Sequence, residues 1–412
     1  MTNAGEYPLF YGPWDDLKAT VPLPGALYGQ FEALAADLVP ALESKTLRKR
    51  VLQLPIFTVQ GLETRHHWQR AFLILSLLGQ AYIWGKDEPV IHSLPLNISV
   101  AWAYVAKKLG SKPVITYLAV EFLNYRILNP ELPLSLENLD VQFTFTGTRD
   151  EAWFYLISIA MEIAGEPAIH SIQTIISIIS DSSRSTDPQS LALVQTELGQ
   201  IADVIGNLRS IFARMYEENS PAVFYNQLRP FMTGWENNPH HTSKGVYYEG
   251  VVDPENPPKP TADMTDTTGS YQKYAGGSAG QSPLIHALDI ALDIKHYSTG
   301  DKNPSVYIYE MRKYMDKPHR DFLEFLEKSP SIREFCQGNG LIDEFDACVS
   351  GMKLFRDDHI KMVTRYIIIP STRPETKKEE KVRGTGGTDL VPFLQQMRDE
   401  TKEQLLGSKL RK

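Results

Sequence analysis

Cysteine is scarce in this chain: 412 residues hold two, Cys336 and Cys348, in no metal-ligating spacing. That leaves no material for a disulfide framework and points to an intracellular setting. A basic excess is missing as well. Forty-two Lys and Arg stand against 50 Asp and Glu, giving a net charge of −8 and a pI of about 5.7, so nucleic acid and anionic membranes meet no attractive field. Long hydrophobic runs are few. The most apolar, residues 71–78, is far below the roughly 20 residues of a membrane span. The opening MTNAGEYPLF has neither the basic nor the apolar region of a secretory signal, so the sequon Asn97-Ile98-Ser99 carries no meaning. Alternating strand patterns are rare, with LDVQFTF at 139–145 the best of them, and no solenoid repeat is present. A soluble, cytoplasmic protein is expected, without nucleic-acid or membrane partners.

What the chain has in quantity is helical periodicity. Residues 68–84, 97–109, 113–127, 153–164, 190–217 and 348–369 read as helices, the 153–164 segment apolar nearly all round, as in a core. Ser220-Pro221 and Ser282-Pro283 pair a capping serine with a proline suited to a first helical turn. The expected fold is mainly α. A large all-helical domain (106–412) would follow a smaller N-terminal domain (1–105) containing a short β-sheet, with 131–150 contributing to the seam. Residues 253–273, 298–304 and 371–387 read as loops, the last charged and mobile, and the mobile segment extends to 388.

His359 carries the most information. Cys348, Met352, Phe355, Met362, Val363 and Tyr366 make one apolar stripe, and His359 falls near its centre, opposite Lys353, Asp357, Asp358, Lys361 and Arg365. An unpaired buried imidazole costs several kcal/mol by rough estimate, so it needs a backbone carbonyl or a metal; an axial position on haem iron is one such role. Asp289, at the edge of a neighbouring apolar stripe, is placed to pair with Arg356, three residues before His359, and so to fix that helix. Phe154 and Ser158, four apart, share a helix face; the hydroxyl either bonds back to its own helix or meets a ligand. Arg229 precedes Pro230 and so is expected to end its helix, either compensating the helix terminus or holding a carboxylate. Gly276-Gly277-Ser278-Ala279-Gly280 fits the nucleophile elbow, with Asp289 and His359 following in hydrolase order. No buried strand leads into it, so a turn where backbone makes a close approach is the better reading. Gly384-Thr385-Gly386-Gly387-Thr388 lacks the Lys-Ser/Thr of a phosphate loop and reads as a lid hinge.

Together and in order, these segments resemble the indoleamine 2,3-dioxygenase family. The likeness rests on Tyr274-Ala-Gly-Gly-Ser-Ala-Gly-Gln-Ser282, Tyr314-Met-Asp-Lys-Pro-His-Arg-Asp-Phe-Leu323, Arg356-Asp-Asp-His359 with Val363-Thr-Arg-Tyr366 and Ile369-Pro370, and Gly384-Thr-Gly-Gly-Thr-Asp-Leu390. Arg229, Gly234-Trp235 and Tyr248-Glu249-Gly250 fit too, and the resemblance runs over about residues 25–406, with a longer loop at 253–273. It implies one haem b per chain, active as Fe(II), with His359 as its sole protein ligand. It also implies insertion of both atoms of O2 across the indole C2–C3 bond of L-tryptophan to give N-formylkynurenine, the first step of the kynurenine pathway, by a monomer. Phe154 and Ser158 match distal positions, Tyr117 the indole pocket, and Phe224 and Arg229 the substrate clamp. Gly277, Ser278 and Ala279 match the turn beside haem and substrate, and Thr388 a lid residue near the substrate ammonium. A family member with weak activity or another indole substrate is the first alternative, and a serine hydrolase on Ser278 the remote one.

Overall fold

The computed structural model describes residues 23, 25–185, 187–238, 240–241, 243–297, 306–372, 384–385 and 390–407. It is mainly α, as the periodicities predict. The helices that build the site are α1 (Arg65–Trp84), α2 (Leu96–Leu109), α3 (Arg149–Ala164), α4 (Glu166–Ile179), α5 (Pro188–Ala213), α6 (Pro283–Ala291), α7 (Ile342–Val363) and α8 (Leu390–Lys402). Their starts are written locally. Thr64, Thr148, Asp187 and Ser282 each accept a backbone N–H from the first turn, and Pro188 and Pro283 add a fixed φ. Ser220 precedes Pro221 but makes no such side-chain bond; its own N–H instead donates to Asp150 Oδ1 at 2.6 Å.

α5 is the spine. α3, α4 and α7 all pack on it, and α8 covers the far side of α7. Strands are short. β1 (Ser93–Leu94) runs parallel to β4 (Val246–Tyr248), which pairs antiparallel with β5 (Ser270–Gln272); β2 (Tyr125–Ile127) pairs antiparallel with β3 (Leu139–Val141). The expected strand at 139–145 is therefore confined to its first three residues, because Phe143 N–H and carbonyl bond the Asn124 side chain and Phe145 N–H bonds Glu151. β5 lies inside the expected 253–273 loop.

The expected helix at 113–127 is not one. It becomes a π-helical turn, Leu118–Phe122, and then β2. The stretch Arg149–Ile179 is apolar and long enough to cross a membrane by length and composition, which the 71–78 run is not. It is broken at Gly165 into α3 and α4 and is mostly packed inside the protein. One apolar cluster joins α1, α2 and α3 to the segments after residue 215, and a second gathers α4, α5, α6 and the first half of α7. The expected loop at 298–304 and most of that at 371–388 lie outside the described residues.

Candidate active site

Two prolines would break the helices that frame the site, and the backbone accommodates both in the same way. Phe224–Leu228 and Thr364–Ile368 are π-helical turns, in which Arg229 N–H reaches back to Phe224 O and Ile369 N–H to Thr364 O. Pro230 and Pro370 follow directly. A proline lacks the N–H and crowds the carbonyl four residues back, and the wider turn relieves that crowding. Arg229 accordingly stays helical (φ −52, ψ −38) instead of ending its helix. The residue preceding a proline is only biased against that conformation, and packing outweighs the bias here.

α7 presents Cys348, Met352, Phe355, Met362 and Val363 to the interior, as the stripe requires. His359, in the same stripe, is different. Its ring is half-buried by area, yet burial, with the charge of Arg356 behind it, pushes the imidazole down to about 4. No described residue hydrogen-bonds to either ring nitrogen; the Phe212 ring meets it edge-on, the centroids 6.0 Å apart. The backbone-carbonyl bond of an ordinary core histidine is not made.

Behind it the polar groups are fully engaged. Arg356 Nη2 donates to both oxygens of Asp289 at 2.7 Å, and Nη1 donates to Thr401 Oγ1 on α8. His296 stands between carboxylates, Nε2 3.2 Å from Asp289 Oδ2 and Nδ1 2.8 Å from Glu400 Oε2. Burial alone would raise the Asp289 carboxyl, but the Arg356 guanidinium and His296 outweigh it and hold it at about 2. α6, α7 and α8 are thereby tied together around Arg356.

The opposite wall is α3. Within its buried face Phe154, Ser158 and Met161, at steps of four and three, keep partial accessibility. Ser158 Oγ lies 3.4 Å from Phe154 O, at the limit of a back-bond to its own helix. Phe154 packs on Phe224 at 5.0 Å, and Phe224 meets Tyr366 edge-on at 5.7 Å, so aromatic rings connect α3 to the π-turn after His359. Arg229 is buried, its guanidinium 5.2 Å over the Tyr225 ring. Tyr117 Oη donates to Glu162 Oε1 at 3.0 Å and sits at the head of the Leu118–Phe122 turn.

The small-residue turn closes the arrangement. A Cβ on Gly276 would stand 2.2 Å from Met232 O and 2.4 Å from Gly234 N, so the two glycines let two backbones touch. Thr385 Oγ1 donates to Gly277 O at 2.7 Å and Gly276 N–H to Thr385 O at 3.3 Å, which brings Thr385 to this turn. Ser278 is extended (φ −148, ψ 142), not strained, and its Oγ accepts from Gly280 N–H; Ala279 is exposed and opens a single 3₁₀ turn. The hydrolase order of Ser278, Asp289 and His359 does not become a triad: Asp289 is committed to Arg356 and His296, and His359 bonds neither partner. No strand feeds an elbow at Ser278, which is the physical reason the motif fails. Thr388 lies outside the described residues. A recess of about 350 Å³ between α5 and the end of α7, lined by Arg209, Phe212, Tyr216, Asp358 and Met362 among others, contains none of the candidate site residues.

The family model for indoleamine 2,3-dioxygenase matches residues 16–404. The chain belongs to the indoleamine 2,3-dioxygenase family. It is 34% identical to indoleamine 2,3-dioxygenase 1 of Mus musculus, over 94% of this chain and 91% of the relative. It is 33% identical to indoleamine 2,3-dioxygenase of Saccharomyces cerevisiae, over 95% and 90%. A 6-hydroxytryptophan 2,3-dioxygenase of Fusarium equiseti is 32% identical, over 94% and 93%. As a member of this family the protein is an oxidoreductase of the dioxygenase type.

Within this indoleamine 2,3-dioxygenase, sequence reading missed His296, Glu400 and Thr401, which complete the support behind His359, and Glu162, which holds Tyr117. The first three lie 60, 44 and 45 residues from the Arg356 they support. No local periodicity links such positions. Glu162 had a signal, since a glutamate four residues after Ser158 on an almost wholly apolar helix must find a partner.

Proposed function

We propose that this dioxygenase holds one haem b through His359 and cleaves the indole C2–C3 bond of L-tryptophan with O2, giving N-formylkynurenine. The observation that carries the reading is the His359 imidazole, deep, neutral and without a hydrogen bond, on a helix whose continuation is linked through Tyr366 and Phe224 to the Phe154 face of α3. A neutral imidazole is the form that ligates Fe(II). Among the described residues no three His, Cys, Asp or Glu side chains gather as a cage for a bare ion. A single histidine suits a metal whose other ligands come with a macrocycle.

When bound, ferrous haem supplies the capacity to engage O2. The chain's own residues bind, orient and exclude water. Asp289 and Arg356 fix the α7 backbone and with it the direction of the His359 ring. Gly277, Ser278 and Ala279 form a low-profile turn beside cofactor and substrate. Phe154, Phe224 and Tyr117 present apolar surface to the indole, and Arg229 offers a fork to the substrate carboxylate. Thr388 is assigned to the substrate ammonium, on a segment whose neighbour Thr385 is anchored to Gly277. Ser158 is a hydroxyl and not a base, and cleavage of an electron-rich indole in this arrangement needs no proton taken by the protein. The chain acts as a monomer in the cytoplasm on this reading.

A second substrate class is favoured by a specific relative, the 6-hydroxytryptophan 2,3-dioxygenase, so a substituted indole is the alternative. The test is the visible spectrum of the purified protein, followed by product analysis with L-tryptophan under reducing conditions. A haem spectrum and N-formylkynurenine are expected; a protein that binds haem and leaves tryptophan unchanged overturns the substrate assignment.

A further inference from the structure

Three buried carboxyls surround the inner end of the Tyr117 segment, and they differ in one respect. Glu151 accepts from Phe145 N–H, Thr146 N–H, Thr146 Oγ1 and Tyr155 Oη, all within 3.0 Å. Glu162 Oε1 accepts from Tyr117 Oη at 3.0 Å and Ser282 Oγ at 2.5 Å. Glu121 is 2% exposed, and neither of its oxygens meets a hydrogen-bond partner among the described residues; Oε2 is sealed and unpartnered. A buried polar group left without a partner is costly, and a native structure that keeps one calls for an explanation.

Its position supplies one. Glu121 follows Tyr117 by four residues, about one turn along the same π-helical segment, so the two side chains share a face. The segment packs on α3. There the Glu121 carboxyl interacts electrostatically with both Glu162 and Tyr155, seven residues apart on one face of α3. Ser158 lies between those two on that face. The carboxyl therefore lies near the part of α3 that, with Tyr117, borders the proposed indole site. Burial, and then the nearby Glu162 charge, pushes Glu121 well above the usual carboxylate range. That shift favours the protonated acid, which has one O–H to give and a carbonyl oxygen that accepts.

We propose that Glu121 is a specificity-determining residue whose free carboxyl group hydrogen-bonds a hydroxyl on the benzo ring of the indole, so that the enzyme prefers a ring-hydroxylated tryptophan. The proposal rests on the dioxygenase reading above and deepens it. Unsubstituted tryptophan would leave the acid unpaired in a desolvated pocket, whereas a phenolic hydroxyl satisfies it. Sites with a buried polar group of this kind reject the analogue that lacks the partner. The relative named for 6-hydroxytryptophan shows that this substrate class exists within the family.

The test is a ratio, kcat/KM for each hydroxytryptophan isomer divided by that for L-tryptophan, in wild type, Glu121→Val and Glu121→Gln, each checked for haem content. Glu121→Val should lower the ratio for at least one isomer by about tenfold or more, and Glu121→Gln, which keeps a donor and an acceptor, should retain part of the preference. A ratio unchanged in haem-loaded Glu121→Val overturns the inference and leaves the dioxygenase reading standing. Wild type that turns over neither substrate overturns the reading and this inference with it. Should the valine variant not fold, infrared difference spectra of wild type decide. A protonated-carboxyl C=O band that shifts on binding a hydroxytryptophan but not tryptophan, and is absent in Glu121→Gln, supports the proposal; no such shift refutes it.

Discussion

The two walls of the site are built on opposite principles. Behind His359 the protein concentrates charge: Asp289, Arg356, His296 and Glu400 interlock between α6, α7 and α8, with Thr401 Oγ1 accepting a guanidinium N–H. Across from it, α3 and the Phe224 turn offer rings and a single weakly bonded hydroxyl. A ligand atom for a metal must hold its direction, and a buried, mutually satisfied network is stiff. A surface that receives an indole needs shape and dryness instead, which aromatic side chains provide. The difference teaches that rigidity and apolarity are separate requirements here, assigned to separate helices.

The sharpest way to break this division is to remove the imidazole. His359→Ala is expected to abolish or nearly abolish haem retention while the helical content stays close to wild type, read from the visible spectrum and far-ultraviolet circular dichroism of the purified variant. Full haem occupancy with an unaltered ferrous spectrum would end the assignment.

Next comes the substrate side. Losing one member of a buried charge-assisted pair costs about 3–5 kcal/mol, so Arg229→Ala should lower kcat/KM for tryptophan by about two to four orders of magnitude. The haem spectrum should be preserved, since Arg229 belongs to the other wall. A variant with wild-type kinetics, or one that loses haem instead, would erase the distinction between the walls.

Weaker effects are expected from the support. Asp289→Ala or Arg356→Ala should reduce haem affinity about 10–100-fold. In a double-mutant cycle the two should be strongly non-additive, because each is the other's partner. Coupling near zero would mean that the ion pair does not act through His359.

The network also has a pH signature. Burial lowers the His296 pKa, but its bonds to Asp289 and Glu400 outweigh this and raise it, while Asp289 and Glu400 are lowered. A raised histidine stabilises the fold fully below its unfolded pKa of about 6.5, and that contribution is lost as pH climbs through the folded value. The lowered carboxylates act in reverse: their contribution is present above about pH 4 and is lost as pH falls through the folded values, toward about 2 for Asp289. Thermal stability should therefore be greatest between these limits, and His296→Gln should flatten the alkaline fall. Identical pH profiles for variant and wild type would count against the coupling of α8 to α6 through His296.

The smallest effect belongs to Ser158. One neutral hydrogen bond is worth about 0.5–1.5 kcal/mol, so Ser158→Ala should change kcat/KM no more than about tenfold. If it proves more damaging than Arg229→Ala, the hydroxyl takes part in the reaction and the α3 wall is not merely a surface.

Much of this was legible in one dimension. The apolar stripe around His359 follows from the 3.6-residue period, as do the long helices α1, α3 and α5 and the capped start of α6, because each depends on residues within a turn or two of one another. Asp289 and Arg356, though 67 residues apart, could be paired because each sits at a defined place on its own helix. The glycine run could be told from a nucleophile elbow by the absence of a strand before it. What local pattern could not decide was the backbone after Tyr117 and beside Pro230 and Pro370. There the choice between α and π winding turns on how neighbouring helices crowd the turn, and packing overrides propensity. Nor could it decide that His296, Glu400 and Thr401 converge on Arg356, that Thr385 docks on Gly277, or that Glu121 is sealed without a partner. Each of those facts depends on residues brought together from distant parts of the chain, and only the tertiary structure sets which polar groups meet when water is removed from between them.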